Sequence, residues 1–187
     1  MKPTNVASLT RRALAFFFEP SLGDPSSRAA VLLRGAVGGV FLVSGATKFL
    51  FDNQGPGRFA KLGFPAAGEL ATFVGGVEIV CGALLVVGLF TRLAAVPLVV
   101  DMIVALLTTK VPLLFGAGPE PVAAPPRTGF WAFAYQARLD GTMLLACAYL
   151  VAVGAGLWSL DAVLARRRWE STLIDKVRAR DQAHPAE

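Results

Sequence analysis

The chain has 187 residues, of which 55% are hydrophobic and 17% charged, with a formal net charge of +5. Soluble domains carry about 25% charged residues, so this composition and a mean hydropathy of +0.58 exclude an ordinary soluble domain and indicate a single membrane domain. The basic excess does not form a nucleic-acid face, because it collects at the chain ends, where the flanks of a multispan protein carry it.

In chain order, Arg11-Arg12 is followed by Ala-Leu-Ala-Phe-Phe-Phe, a pairing like the charged and apolar regions of a secretion signal. Glu19-Pro20 interrupts the run at once, and no clean small-residue cleavage site follows. The stretch reads as a short interfacial helix, with Arg11 and Arg12 toward headgroups and Phe16 to Phe18 dipping into the apolar layer. A linker with Gly23 and Pro25 completes an N-terminal segment over 1–28.

A four-span membrane domain is expected over 29–160. The first span runs from Ala29 to Phe51 and contains Gly35-x-x-x-Gly39, a spacing that lets a neighbouring helix approach closely. Arg34 and Lys48 lie toward its ends, where long cationic side chains snorkel to the interface. After a polar loop, Asp52 to Ala66, the second span covers Ala67 to Leu89 and the third Leu93 to Leu114. Pro97 falls near the start of the third span, where a missing donor costs little, and Pro112 near its end. Gly116 to Thr128 is a Pro- and Gly-rich loop. The aromatic patch GFWAFAYQ (Gly129 to Gln136) then reads as an interfacial belt before a fourth span, Ala137 to Leu160. A charged helical tail over 161–187 opens with Arg166-Arg167-Arg168, a cluster suited to anionic lipid or to a soluble partner.

Four spans place both ends on one side, together with Lys2, Arg11, Arg12, Arg28, Arg92 and the basic tail. This asymmetry favours cytoplasmic termini, and short connections favour an all-α, antiparallel four-helix bundle. Cys81 and Cys147 lie in apolar spans with no metal-ligand spacing. The sole histidine, His184, sits in the polar tail, so the sequence carries no haem, Fe–S or zinc signature.

Ionisable residues inside the spans are the candidate site. Counting about 1.5 Å per residue, Glu78 and Asp101 fall at similar depth, with Arg34 roughly 6–9 Å nearer the cytoplasm. An inner cluster of Arg34, Glu78 and Asp101 is therefore expected, with an outer one of Lys48, Lys110, Arg138 and Asp140. Such groups either tie spans together as ion pairs or mark a proton-coupled site. In the second case Glu78 donates the proton, Asp101 relays it and Arg34 balances charge.

The runs FLVSGATKF (Phe41 to Phe49) and GFPAAGELATFVGGVEIVCGALLVVGLFTRLAA (Gly63 to Ala95) resemble the DoxX family of small membrane proteins. The resemblance rests on the Gly/Lys ending of the first span, on Gly75, Glu78 and Gly82, and on the Gly88-Leu89 and Thr91-Arg92 turn. It extends over about Leu32 to Ala155. It implies four transmembrane helices in a bacterial cytoplasmic membrane and a redox association, since the family name comes from a relative of the membrane subunit of a thiosulfate–quinone oxidoreductase. Other members are membrane partners of soluble redox and sulfur-transfer enzymes. No catalytic residue carries over.

Three functional classes follow. The first is a quinone- or sulfur-linked redox subunit, with quinone as the cofactor and a soluble partner at the cytoplasmic face. The second is an anchor that grips a soluble enzyme through its basic tail. The third is a small-molecule or proton permease, for which inverted repeats are the expected sign and none is evident. Membrane lipid is the expected surrounding partner, nucleic acid is not, and self-association is compatible with any of the three.

Overall fold

The computed structural model describes residues 29–117 and 126–183, and all the described secondary structure is helical. The expected interfacial helix with Arg11 and Arg12, the following linker and the centre of the Pro-rich loop lie outside the described residues. The helices are α1 (Ala29–Leu50), α2 (Pro56–Lys61), α3 (Ala67–Val87), α4 (Thr91–Ala105), α5 (Val111–Leu114), α6 (Phe130–Val153) and α7 (Leu160–Ala183). A π-helical turn, Leu106–Lys110, joins α4 to α5.

Three stretches are long and apolar enough to cross a membrane, namely Ala30–Leu50, Ala67–Val87 and Thr91–Leu114. The fourth long helix, α6, has 24 residues, about 36 Å at helical rise. It carries Arg138 and Asp140 and is not one of the three candidate spans. Its placement differs from the expected Ala137 to Leu160. The aromatic patch forms its first turns instead of preceding it, and the helix stops at Gly154. Gly154 and Gly156 both have positive φ, 86° and 76°, a region that ends a helix at no steric cost for glycine.

The four long helices form a closed ring of neighbours, α1 against α3, α3 against α4, α4 against α6 and α6 against α1. Contacts between α1 and α3 pair Gly38 with Gly82 and Gly45 with Gly75, so the two run antiparallel. Likewise Arg92 reaches Ala152 while Lys110 reaches Asp140, so α4 and α6 are antiparallel. At the α3–α4 turn, Gly88 (φ 70°) closes α3 with its own amide on the Leu85 carbonyl and the Leu89 amide on that of Leu84. This is a Schellman ending, and it reverses the chain within three residues.

The expected role of Gly35-x-x-x-Gly39 is not the one observed. A Cβ added at either glycine meets nothing within 4 Å. The close approach uses the next helical stripe instead. A Cβ on Gly38 would lie 2.6 Å from the Gly82 carbonyl oxygen, and one on Gly45 would lie 2.7 Å from that of Gly75. Since 3.6 residues make a turn, two glycine stripes coexist on α1, and only tertiary packing selects between them.

The bundle is filled at one end and hollow at the other. Phe41, Leu85, Leu98, Cys147 and Leu150 interlock in an apolar core nearer the α3–α4 turn. Both cysteines are free and buried there. Beyond Glu78 and Asp101 the ring opens into a cavity.

Replacing Gly38 with alanine therefore drives a methyl into backbone across the α1–α3 contact. Overpacking of this kind costs about 1–3 kcal/mol. Gly39→Ala meets only open space and gains up to about 1 kcal/mol of helix propensity. Thermal unfolding in detergent is expected to show a lower melting temperature for Gly38→Ala and an equal or higher one for Gly39→Ala.

Candidate functional site

The cavity has a volume of about 790 Å³ and is walled by α1, α2, α3, α4, the π turn and α6. Its size is that of a small-molecule site. Phe59, Phe64, Phe73 and Tyr135 give it aromatic surface, and seven ionisable residues line it: Lys48, Arg58, Glu78, Asp101, Lys110, Arg138 and Asp140.

At its inner end, Lys48 at the close of α1 donates to Glu78 in the middle of α3, with Nζ 2.5 Å from Oε2. The glycine contact creates this pairing. Gly45 and Gly75 bring the two backbones together beside it, and a Cβ on Gly45 would sit 3.1 Å from the Glu78 Cβ. Glu78 is only 2% exposed, so it needs a partner in an apolar surrounding. Asp101 of α4 lines the same cavity as the pair, near enough to feel the charge of Lys48. Its Oδ2 is buried without any hydrogen-bond partner.

At the other end, Lys110 and Asp140 form an ion pair at 3.7 Å. The helix that carries Asp101 and Lys110 is irregular between them. Pro97, seventh in α4, removes a main-chain donor within the helix and not at its first turn as expected. The π turn then adds a residue to the spiral, and Thr108 and Thr109 hydroxyls donate to the Val104 and Ala105 carbonyls at 2.7 and 2.6 Å. Such bulges redirect side chains, and here the redirected residues, Thr108 to Lys110, line the cavity.

The two expected clusters are thus rearranged. Glu78 and Asp101 come together as expected, but Lys48 joins them instead of staying with the outer group. Lys48, Lys110, Arg138 and Asp140 all line the one cavity.

Arg34 does not join the carboxylates. Arg34 is 2% exposed, and its guanidinium donates to the carbonyls of Ala155 and Trp158, the latter at 2.8 Å. It points along α1 toward the α6–α7 junction because that junction offers bare carbonyls where α6 has ended. Asp161, a carboxylate whose charge reaches Arg34, accepts from the Phe90 and Thr91 amides at 2.9 and 3.3 Å. It thereby satisfies donors at the start of α4. Phe90 has φ 49°, a strained value for a bulky residue that the Asp161 bond helps to hold. Ser159 caps α7 through the Ala162 amide. Asp161 was the residue that sequence reasoning passed over. Its one legible sign is the Ser159-Leu-Asp opening of α7, the composition of a helix start.

A half-open cavity with charged and aromatic side chains on its wall, set among helices long and apolar enough to cross a bilayer, marks a small helical membrane protein. The DoxX family model matches residues 29–111. A relative in Mycobacterium tuberculosis, the uncharacterized membrane protein Rv3486, is 46% identical over 146 residues, which cover 78% of this chain and 85% of the relative. The chain belongs to the DoxX family. No solved structure matches it.

The Lys48–Glu78 pair allows a double-mutant test. Lys48→Met leaves a buried carboxylate unpaired, a loss on the order of 3–5 kcal/mol, while removing both charges with Glu78→Gln added restores most of it. Melting temperatures of the two single variants and the double variant measure the coupling, and additive losses would show that the pair does not hold α1 to α3.

Proposed function

We propose that this chain is a redox-associated membrane subunit whose cavity binds a quinone and exchanges protons with it through Glu78 and Asp101. The observation that supports this is the buried Asp101 Oδ2 on the cavity wall, which lacks a donor. A quinol hydroxyl is such a donor. The aromatic and aliphatic walls suit a flat apolar ring and its tail, and Lys48 holds Glu78 in a fixed position beside Asp101.

Reduction of a quinone takes two electrons and two protons. With thiosulfate as donor, two thiosulfate ions join through a new S–S bond and release the two electrons, while the protons reach the quinone oxygens by way of the carboxyl groups. A soluble redox protein supplies the electrons equally well. Arg34 has no part in this step; it ties α1 to the α6–α7 junction. In this reading α6 makes the fourth crossing and both termini are cytoplasmic, following the distribution of basic residues.

A second reading, an anchor for a soluble enzyme, is favoured by α7. Beyond its first turn, among the described residues, no extensive packing joins it to the ring, and Arg166, Arg167 and Trp169 are exposed along it.

The full-length protein in mild detergent, given a soluble quinone analogue and thiosulfate, is expected to reduce the quinone, followed by absorbance. A positioned general acid contributes roughly 10²–10⁴-fold, so Glu78→Gln should slow turnover by about 100-fold or more. Asp101→Asn should weaken quinone binding. Undiminished turnover in Glu78→Gln overturns the proton role. Retention of a soluble enzyme that depends on α7, without quinone reduction, establishes the anchor instead.

A further inference from the structure

Of the cationic groups on the cavity wall, Lys48 and Lys110 are matched by carboxylates. Arg138 is not: among the described residues it makes no ion pair. Its guanidinium instead lies over the Tyr135 ring, 3.7 Å from the centroid, and donates through Nη1 to the Tyr135 carbonyl. Both partners are neutral, and both sit one turn back toward the start of α6. The side chain is thus drawn toward that end of the helix and held flat, as a snorkelling arginine is. Of the five N–H donors of an arginine, one is used among the described residues, and the residue is exposed.

The surroundings of Arg138 are those of a lipid contact. Trp131 and Tyr135, seven and three residues before it, share its helical face, and Leu139 continues their stripe four residues beyond Tyr135; the three are 71%, 52% and 58% exposed. The aromatic end of this face marks headgroup depth. A guanidinium without a counter-charge beside hydrocarbon is costly. The bilayer itself offers a remedy, a phosphate whose oxygens match the planar donor fork. Tyr135, Arg138 and Leu139 also line the cavity, so a lipid seated there covers part of its wall on the α6 side.

We propose that Arg138, held by Tyr135, binds the phosphodiester headgroup of an anionic phospholipid, whose acyl chain runs along α6 at Leu139 beside the cavity. An anionic head is preferred because it brings no ammonium of its own to compete for the phosphate. The acyl chain adds apolar burial that free phosphate lacks. The proposal does not rest on the quinone reading, although Tyr135, Arg138 and Leu139 border the same cavity.

The test is native mass spectrometry of the delipidated full-length protein, titrated separately with phosphatidylglycerol, phosphatidylcholine and inorganic phosphate. The wild-type protein is expected to retain one phosphatidylglycerol that Arg138→Gln loses, its affinity falling roughly tenfold or more, as for a charge-assisted hydrogen bond. The basic residues of α7 supply a background that this substitution leaves in place. Arg138→Lys, which keeps the charge without the fork or the stacking, is expected to recover only part of the affinity. A lipid-free melting curve shared by wild type and Arg138→Gln establishes that the fold is unchanged. If that curve shifts, Tyr135→Leu, which leaves the charge but removes the platform, serves in its place and is expected to weaken retention. Equal retention of phosphatidylglycerol in wild type and variant, or equal retention of phosphatidylcholine, overturns the proposal. Displacement of the lipid by an equal concentration of inorganic phosphate also overturns it, by showing a site for a free anion.

Discussion

The contact between α1 and α3 governs the rest of the molecule. Gly38 against Gly82 and Gly45 against Gly75 let two backbones meet without side chains between them. At that separation Lys48 reaches Glu78, and a carboxylate in the middle of an apolar helix acquires a fixed partner. With larger residues at these four positions the helices would part, and Glu78 would be left in hydrocarbon without its ammonium. The charge therefore depends on the packing, and the packing is possible only because the residues are glycine.

The same ring carries two kinds of interior. Where Phe41, Leu85, Leu98 and Leu150 face one another the space is filled. Toward the other end α4 loses regularity, first at Pro97 and then through the π turn. Both features belong to one helix, and both border the cavity. A regular α-helix from Thr91 to Leu114 would place Lys110 at a different angle, since the π turn carries one more residue per turn than an α-helix. The cavity is thus as much a consequence of the shape of α4 as of the residues that line it.

The opposite end of the ring is closed by polar links between helix termini. Arg34 takes up carbonyls freed where α6 stops, Arg92 bonds the last carbonyls of α6, and Asp161 takes up amides freed where α4 begins. Gly88 has no room for a side chain here, because a Cβ would lie 2.6 Å from an Arg34 nitrogen. A buried arginine bonded to main-chain carbonyls and near one carboxylate is an economical way to join three chain segments. It explains why Arg34 serves structure while Glu78, at comparable burial, faces a cavity.

Much of this was legible in the sequence. Run length and hydropathy give the helical membrane class, the Glu78 and Asp101 positions give their shared depth, and the Gly75, Glu78, Gly82 pattern gives the family. These depend on local composition or on distance along a helix axis, which a sequence encodes directly. It does not encode rotation. Arg34 and Lys48 lie on the same span, and only the facing of α1 decides that Lys48, not Arg34, meets Glu78. Rotation likewise selects Gly38 over Gly39 and pairs Asp140 with Lys110, not with Arg138. Depth follows from counting residues, but which side chains meet at that depth follows from how four helices turn toward one another, and that is decided by packing across the whole ring.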